Sequence, residues 1–403
     1  METKLRPGNP YITTAVYYLG FICLGMATAV LGPTLQGLAK NTDSTLAQIS
    51  SLFLFCSFGY LLGSFASGRV YDRVKGHPIL CLALLIIASM VILVPLVKAL
   101  LFLQVIFFII GIAEGNLDVG IDTLIVWLHG DRVPPFMNGL HAFYGIGTTI
   151  APLIVAAVIG SAGSLNSIYW ALAILILPVS LLIPFIPSPS YLQARQQAEL
   201  RPAVPILVFL LSITFFAFTG AELGFGGWIY TYSTFQEYAN PTMAASINAA
   251  FWAALTVGRL VSIPLIVKLK TQKMIWVNFC GIITSLLIII CFSSSQALLW
   301  VGTIGTGFFM GPIFPTLLND AQSRMHMSGK ITSVFFVSSS LGSMAVPWIM
   351  GQLIVPYGAT TAMIAVLCSV ILATGTFYLL NVTQRTIANP SARFMQNRDN
   401  QGG

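Results

Sequence analysis

PSPSYLQARQQAELRPAV, residues 187–204, is the longest polar interruption in a chain of 403 residues that is otherwise strongly apolar. Hydrophobic residues make up 56% of the sequence and charged residues only 8%, and the mean hydropathy is +0.86. A water-soluble domain of this length could not bury so much apolar surface. The composition therefore indicates an integral membrane protein, and the polar stretch predicts a linker between two membrane-embedded halves.

On each side of this linker, windows of about 19 residues predict six apolar segments, each long enough to cross a hydrocarbon core of ~30 Å as a helix. The predicted spans are residues 11–38, 48–68, 77–97, 100–128, 136–160 and 167–186, then 205–234, 243–267, 274–293, 297–319, 330–352 and 361–381. We therefore expect an all-α membrane protein with twelve transmembrane helices. An N-terminal six-helix bundle would occupy residues 1–186, a C-terminal one residues 205–385, and a tail residues 386–403.

Lysine and arginine residues are concentrated in every second predicted loop. Loops on the cytoplasmic side of a membrane carry an excess of these residues. Only Lys40 and Lys98 would lie on the far side of the membrane. On the near side are Lys4, Arg6, Arg69, Arg73, Lys75, Arg132, Arg195, Arg201, Lys268, Lys270, Lys273, Arg324, Lys330, Arg385, Arg393 and Arg398. This bias predicts that both termini and the linker are cytoplasmic, in a plasma membrane or a bacterial inner membrane. The net charge of +7 then suits anionic lipid headgroups, and we expect no nucleic-acid partner.

Short glycine motifs recur in the two halves at nearly the same offset. The matching pairs are Gly147–Pro152 with Gly342–Pro347, Gly111–Gly115 with Gly307–Gly311, and Gly68–Arg69 with Gly258–Arg259. Glycine is common in membrane helices, so one match alone is weak. Three matches together predict that the second six-helix bundle repeats the first.

The loop GRVYDRVKG, residues 68–76, resembles the G-x-x-x-D-R-x-G-R-R signature of the major facilitator superfamily, with one extra residue before the last glycine. The resemblance implies a major facilitator fold with a substrate site between the halves near mid-membrane. It also implies that this loop latches the halves on the cytoplasmic side. We therefore assign Gly68, Asp72 and Arg73 to gating. Arg259, near the cytoplasmic end of its helix, is assigned to gating as well, with ordinary snorkelling as the alternative. The alternative is that the loop is only a solvated, positively charged turn.

Three further stretches, residues 25–39, 46–64 and 218–232, look like the sodium-dependent glucose transporter-like branch of that superfamily, which is related to bacterial fucose, galactose and glucose proton symporters. This resemblance implies a sugar-like solute and cation-coupled symport. The first helix departs from the fucose-type pattern because it has no acid. Its polar candidates are Tyr17, Tyr18, Thr28 and Gln36.

Three acids fall inside the fourth predicted helix, at Glu114, Asp118 and Asp122. Their four-residue spacing places them on one helix face. Because each charge at the membrane centre costs about 2.5–3.5 kcal/mol, that face must line the protein interior. We predict that these acids couple a cation. Glu114 and Asp118, with hydroxyl or carbonyl oxygens, would hold sodium, whereas a proton would need a single acid. The alternative is that the acids only fix packing.

Glu222 is the acid placed well inside a helix of the second half, within the sequence GAELGFGGW. Each glycine weakens the helix by about 1 kcal/mol, which suits a helix that bends beside a cavity. We predict a substrate site in which aromatic faces and polar groups surround a sugar ring, lined by Glu222, Trp228, Tyr232, Trp252, His141 and Asn248. Trp228 and Tyr232 could instead belong to the aromatic belt at the membrane interface.

These patterns predict a monomeric secondary transporter that moves a small polar solute by alternating access. An exporter that works by proton antiport is the alternative, and a receptor that does not transport is a third candidate. We do not expect an enzyme, because the GxGD and GxSG motifs of intramembrane hydrolases do not occur. Histidines and cysteines show no metal-ligand spacing, so no cofactor is expected other than a bound sodium ion.

Overall fold

The computed structural model describes residues 9–71, 73–189, 204–235, 237–292, 295–325 and 329–388. Within these ranges the chain forms helices and no strands. Twelve helical segments are long and apolar enough to cross a membrane, and each predicted span overlaps one of them. The predicted all-α membrane fold is confirmed.

The twelve segments, TM1 to TM12, follow the chain in order. In the N-terminal half they are TM1 (Pro10–Ala29 and Leu31–Asn41), TM2 (Leu46–Ile49 and Ser51–Tyr71), TM3 (Gly76–Leu93), TM4 (Leu100–His129), TM5 (Val133–Gly160) and TM6 (Leu165–Leu182). In the C-terminal half they are TM7 (Pro205–Phe235), TM8 (Pro241–Lys268), TM9 (Thr271–Cys291), TM10 (Gln296–Met310 and Ile313–Arg324), TM11 (Gly329–Tyr357) and TM12 (Thr360–Ala388). TM12 thus continues three residues into the predicted tail.

Because the number of crossings is even, both ends of the described chain lie on one face of the bundle, which we call the terminal face; the other is the distal face. Side-chain caps mark helix starts on both faces. At the terminal face, Asn9 Oδ1 accepts from the Tyr11 amide at 3.0 Å in front of Pro10. At the distal face, Asn240 Oδ1 accepts from the Met243 amide at 2.8 Å. Such caps bind backbone donors that a helix end leaves free.

The duplicated glycines serve equivalent contacts in the two halves. A Cβ at Gly111 of TM4 would overlap the Cys56 carbonyl oxygen of TM2, and one at Gly307 of TM10 would overlap the Phe251 carbonyl oxygen of TM8. The matched glycines Gly147 and Gly342 repeat this on other helices, where a Cβ would overlap the carbonyl oxygens of Ile22 and Phe216. Small residues let membrane helices approach this closely. The two halves are therefore built as pseudo-repeats, as the motifs predicted.

The halves touch along TM2 with TM11, TM5 with TM8, and the second part of TM1 with TM7. Hydrogen bonds between them lie near the distal face. Gln36 Nε2 donates to Thr234 Oγ1 at 2.8 Å, and Gln352 Nε2 donates to the Ala47 carbonyl at 2.8 Å. In the described part of the chain, TM4 and TM10 each pack extensively only within their own half. The bundle is therefore closed at its distal face.

Arg324, one of the basic residues that the sequence placed in loops, lies inside the bundle instead. Arg324 ends TM10 and is buried, with its Nε 2.5 Å from Asp320 Oδ2. Its guanidinium also donates to Gln384 and, at 2.6 Å, to Asn381 of TM12. The assignment to the loop was wrong because the final turn of TM10 packs against TM12, which supplies polar partners inside the bundle.

Candidate functional site

Glu222 and Arg259 form an ion pair between two adjacent helices of the C-terminal half. Glu222 lies near the middle of TM7 and is 8% exposed, and its Oε1 is 3.9 Å from Nη2 of Arg259 on TM8. Arg259 Nε also donates to the Gly311 carbonyl at 3.3 Å. Because an unpaired charge at this depth is costly, each side chain provides the counter-charge the other requires.

A polar strip continues from this pair toward the distal face. Asn248, Trp252 and Arg259 recur at four and seven residues along TM8, so they share one helix face. Opposite them on TM7, Glu222 and Gly226 share a face by the same spacing. Asn248 Nδ2 donates to the Gly226 carbonyl at 2.6 Å. The structure thus brings together three of the residues predicted to bind substrate, Glu222, Trp252 and Asn248.

TM5 brings two aromatic side chains from the N-terminal half to the same level. His141, predicted from the sequence, lies within electrostatic range of Arg259 and edge-on to the ring of Phe21. Tyr144, one turn further, lies beside Thr28 and within electrostatic range of Glu114, Asp118 and Glu222. Sequence reasoning did not single out Tyr144. Its position one helical turn from His141 was the available signal.

The three acids of TM4 share a face, as their spacing predicted, but each has a different environment. Glu114 is buried and accepts from Thr28 Oγ1 of TM1 at 3.4 Å and from Cys56 Sγ of TM2 at 3.6 Å. Asp118 accepts a hydrogen bond from the Tyr60 hydroxyl of TM2. Asp122 lies within electrostatic range of Asp118 and has one buried oxygen without a hydrogen-bond partner in the described structure.

The polar side-chain atoms around the acids of TM4 are mainly carboxylate and hydroxyl oxygens. Among the described residues, no group of three or more His, Cys, Asp and Glu side chains could hold a metal ion. Two carboxylates with nearby hydroxyls are nevertheless the kind of donor set that a hard monovalent cation accepts. The sodium site at Glu114 and Asp118 stays a prediction.

Trp228 and Tyr232 lie apart from the polar strip, with their polar atoms bound to backbone carbonyls. Trp228 Nε1 donates to the Pro347 carbonyl of TM11 at 2.9 Å, and the indole packs against Phe53. The Tyr232 hydroxyl donates to the Ile289 carbonyl of TM9 at 3.3 Å. Both side chains are fully buried, so neither belongs to a lipid-facing aromatic belt. Their role toward a substrate stays a prediction.

The residues predicted to gate are dispersed. Asp72 lies outside the described residues. Arg73 is exposed in the loop after TM2, and a Cβ at Gly68 would meet open space. Arg259 lies inside the bundle with Glu222, away from that loop. The structure therefore groups Arg259 with the predicted substrate residues.

The sequence matches a known family of membrane proteins and several curated relatives. Residues 17–347 match the model of the Major Facilitator Superfamily. Sodium-dependent glucose transporter 1 of Xenopus laevis is 31% identical over 81% of this chain and 73% of its own length. Sodium-dependent glucose transporter 1A of Mus musculus is 27% identical over 83% of this chain and 88% of its own.

Solved structures share the fold at low sequence identity. A bacterial homologue of the human lysosomal transporter Spinster, in an inward-facing and occupied conformation, aligns with a TM-score of 0.76 at 13% identity, covering 93% of this chain and 98% of that one. The nucleoside transporter NupG, in a mutant form, aligns with a TM-score of 0.74 at 14% identity, over 92% and 99% of the two chains. With twelve membrane-spanning helical segments in its described residues, arranged as two pseudo-repeats, this chain belongs to the Major Facilitator Superfamily of transporters, in the branch that includes sodium-dependent glucose transporter 1.

Proposed function

We propose that this transporter moves a sugar by alternating access, coupled to sodium or protons in symport. The observation that carries the proposal is the arrangement of buried polar groups on both sides of the boundary between the halves. Glu222 and Arg259 lie on the C-terminal side, and Tyr144 with Glu114 lies on the N-terminal side. In this fold, solute and coupling ion bind near mid-membrane, where the two halves meet.

The chemistry of the C-terminal side suits a solute with several hydroxyl groups. The Glu222 carboxylate accepts hydrogen bonds, whereas the Arg259 guanidinium donates them, and a hydroxyl group does both. At 3.9 Å the two side chains are paired loosely enough for a hydroxyl to bind between them. The relatives' names, which specify glucose, support a sugar as the solute.

Cation coupling is assigned to TM4. Glu114 and Asp118 have oxygen neighbours in the hydroxyls of Thr28, Tyr60 and Tyr144. A bound cation would neutralise this site, and Tyr144 lies within electrostatic range of both this site and Glu222. The relatives' names favour sodium over a proton.

The exposed basic residues support one orientation of the chain in the membrane. Arg73, Lys75 and Arg132 are exposed between helices at the terminal face, which supports a cytoplasmic position for that face and for both termini. With the distal face closed, the structure would then be an inward-facing state. In that state the solute would leave toward the cytoplasm.

Uptake of D-glucose into proteoliposomes, with sodium and proton gradients imposed separately, tests the proposal. We expect accumulation under an inward gradient of one cation, loss of accumulation in Glu222→Gln, and wild-type behaviour in Glu237→Gln, a matched change in an exposed loop. Absence of glucose uptake and counterflow in the wild type would contradict a glucose transporter. Glucose expelled by an inward proton gradient would indicate an antiport exporter.

A further inference from the structure

Among the buried polar atoms of the described residues that lack a hydrogen-bond partner, two of opposite character lie one helical turn apart on TM8, on the distal side of the ion pair. Asn248 is fully buried, and while its Nδ2 donates to Gly226, its Oδ1 has no hydrogen-bond partner. Trp252 is 3% exposed, and its Nε1 also lacks a partner. A buried donor or acceptor left unpaired destabilises a protein substantially, so two in one place indicate that something is bound there in another state.

Both atoms belong to side chains that converge on Gly226. The Asn248 amide is held by the Gly226 carbonyl, and this bond also settles which amide atom is the oxygen, since only the NH₂ group can donate. A Cβ at Gly226 would overlap Cζ2 of Trp252 and lie 3.0 Å from Cε2, the carbon bonded to the indole nitrogen. The free acceptor and the free donor therefore flank one glycine.

The N-terminal half covers this place in the present state. A Cβ at Gly32 of TM1 would lie 2.7 Å from the Gly226 carbonyl oxygen and 3.0 Å from the Gly227 Cα. This approach of TM1 to TM7 is part of the distal closure, together with the hydrogen bond between Gln36 and Thr234. Opening of the distal face requires TM1 and TM7 to separate, which would uncover Gly226 with the Asn248 and Trp252 side chains.

We propose that Asn248 and Trp252 form a binding pair for a single hydroxyl of the solute, exposed when the distal face opens. A hydroxyl donates to Asn248 Oδ1 and accepts from Trp252 Nε1, whereas a carboxylate satisfies only the donor and a cation only the acceptor. The pair thus selects neutral hydroxylated solutes at entry, one helical turn beyond Glu222. This inference rests on the proposed function and assigns the selection of the solute to named atoms.

Binding of D-glucose and its monodeoxy analogues to the purified, full-length protein tests the pair. Trp252→Phe removes the indole N–H and keeps an aromatic ring, and Trp276→Phe on TM9, where the indole packs against Phe377 and Tyr378, is the matched control. In wild type and control, one monodeoxy analogue should bind about 10- to 100-fold more weakly than D-glucose, because its missing hydroxyl takes part in two neutral hydrogen bonds, each worth about three- to tenfold. In Trp252→Phe, binding of D-glucose itself should weaken about three- to tenfold, and the difference between the two sugars should shrink by the same factor, because only the bond to Asn248 remains.

A further variant and further probes distinguish failure of the hydroxyl pair from failure of the proposed function. Asn248→Ala removes the acceptor and should reduce the same preference if Trp252→Phe does not fold. Glucose binding with an unchanged preference in both folded variants overturns the hydroxyl pair and leaves glucose transport standing. If the wild type binds not glucose but myo-inositol or uridine, and Trp252→Phe weakens that probe three- to tenfold, the pair stands and glucose as solute falls. A failure of all three probes to bind the wild type overturns both.

Discussion

Glu222 on TM7 and Arg259 on TM8 are 37 positions apart in the chain and form one ion pair at 3.9 Å inside the C-terminal half. TM7 and TM8 run antiparallel, so the middle of one faces the middle of the other. The pair makes two charges compatible with the interior of a membrane bundle. Both side chains also keep polar atoms that can form hydrogen bonds with a solute.

Removing one member of this pair should destabilise the protein more than removing both. Glu222→Gln or Arg259→Gln alone leaves an uncompensated buried charge, a change that costs about 3–5 kcal/mol in buried pairs, whereas the double variant leaves none. We expect a clear fall in melting temperature for each single variant and partial recovery for the double. Additive losses in a thermal-unfolding cycle would show that the two side chains act independently.

Asp118→Asn should uncouple transport. It removes one carboxylate from the predicted cation site while leaving the TM7–TM8 strip intact, so solute counterflow should persist and accumulation against a gradient should stop. Asp122→Asn should have a milder effect, because Asp122 lies one turn closer to the terminal face. Accumulation by Asp118→Asn equal to that of wild type, measured in proteoliposomes, would remove TM4 as the coupling helix.

Tyr144→Phe should weaken the coupling between cation and solute. The Tyr144 hydroxyl lies beside Thr28 and within electrostatic range of acids in both halves, so its loss removes a polar link between them. We expect glucose binding within about threefold of wild type and a fall in the stimulation of that binding by sodium. Phe143→Leu, a change on the neighbouring ring that stacks on Tyr18, serves as the control. Unchanged stimulation in Tyr144→Phe would refute the link.

Holding the distal face closed should stop transport. Gln36 and Thr234 are joined by a hydrogen bond of 2.8 Å between the halves, so cysteines at these positions can be bridged by a short bis-methanethiosulfonate, which forms a disulfide with each thiol. In a background without other cysteines, the bridged Gln36→Cys, Thr234→Cys protein should lose uptake and regain it after reduction, while each single variant stays active. Full activity of the bridged protein would mean that TM1 and TM7 need not separate.

The topology is testable from both sides of the membrane. Arg132 and Ser161 are exposed at opposite ends of TM5. In the same cysteine-free background, a membrane-impermeant maleimide should modify Ser161→Cys in intact cells and Arg132→Cys only after permeabilisation. The reverse pattern would place the termini outside the cytoplasm.

The sequence alone specified the fold because membrane insertion depends on composition along the chain. Apolar segments of about 20 residues must form helices in lipid, where backbone groups find no other partners. The common face of Glu114, Asp118 and Asp122 followed from helical period alone. The repeated glycines predicted the pseudo-repeat, since close helix contacts recur in both halves.

Partners between helices could not be predicted, since no local pattern states which side chains meet. Arg259 was assigned to a gate, and only the packing of TM7 on TM8 paired it with Glu222. Trp228 and Tyr232 looked like free aromatic ligands until TM11 and TM9 supplied carbonyl acceptors for them. Helix period determines which face of a helix a residue occupies, but the neighbour opposite that face depends on contacts between segments far apart in the chain, and only the tertiary structure decides those.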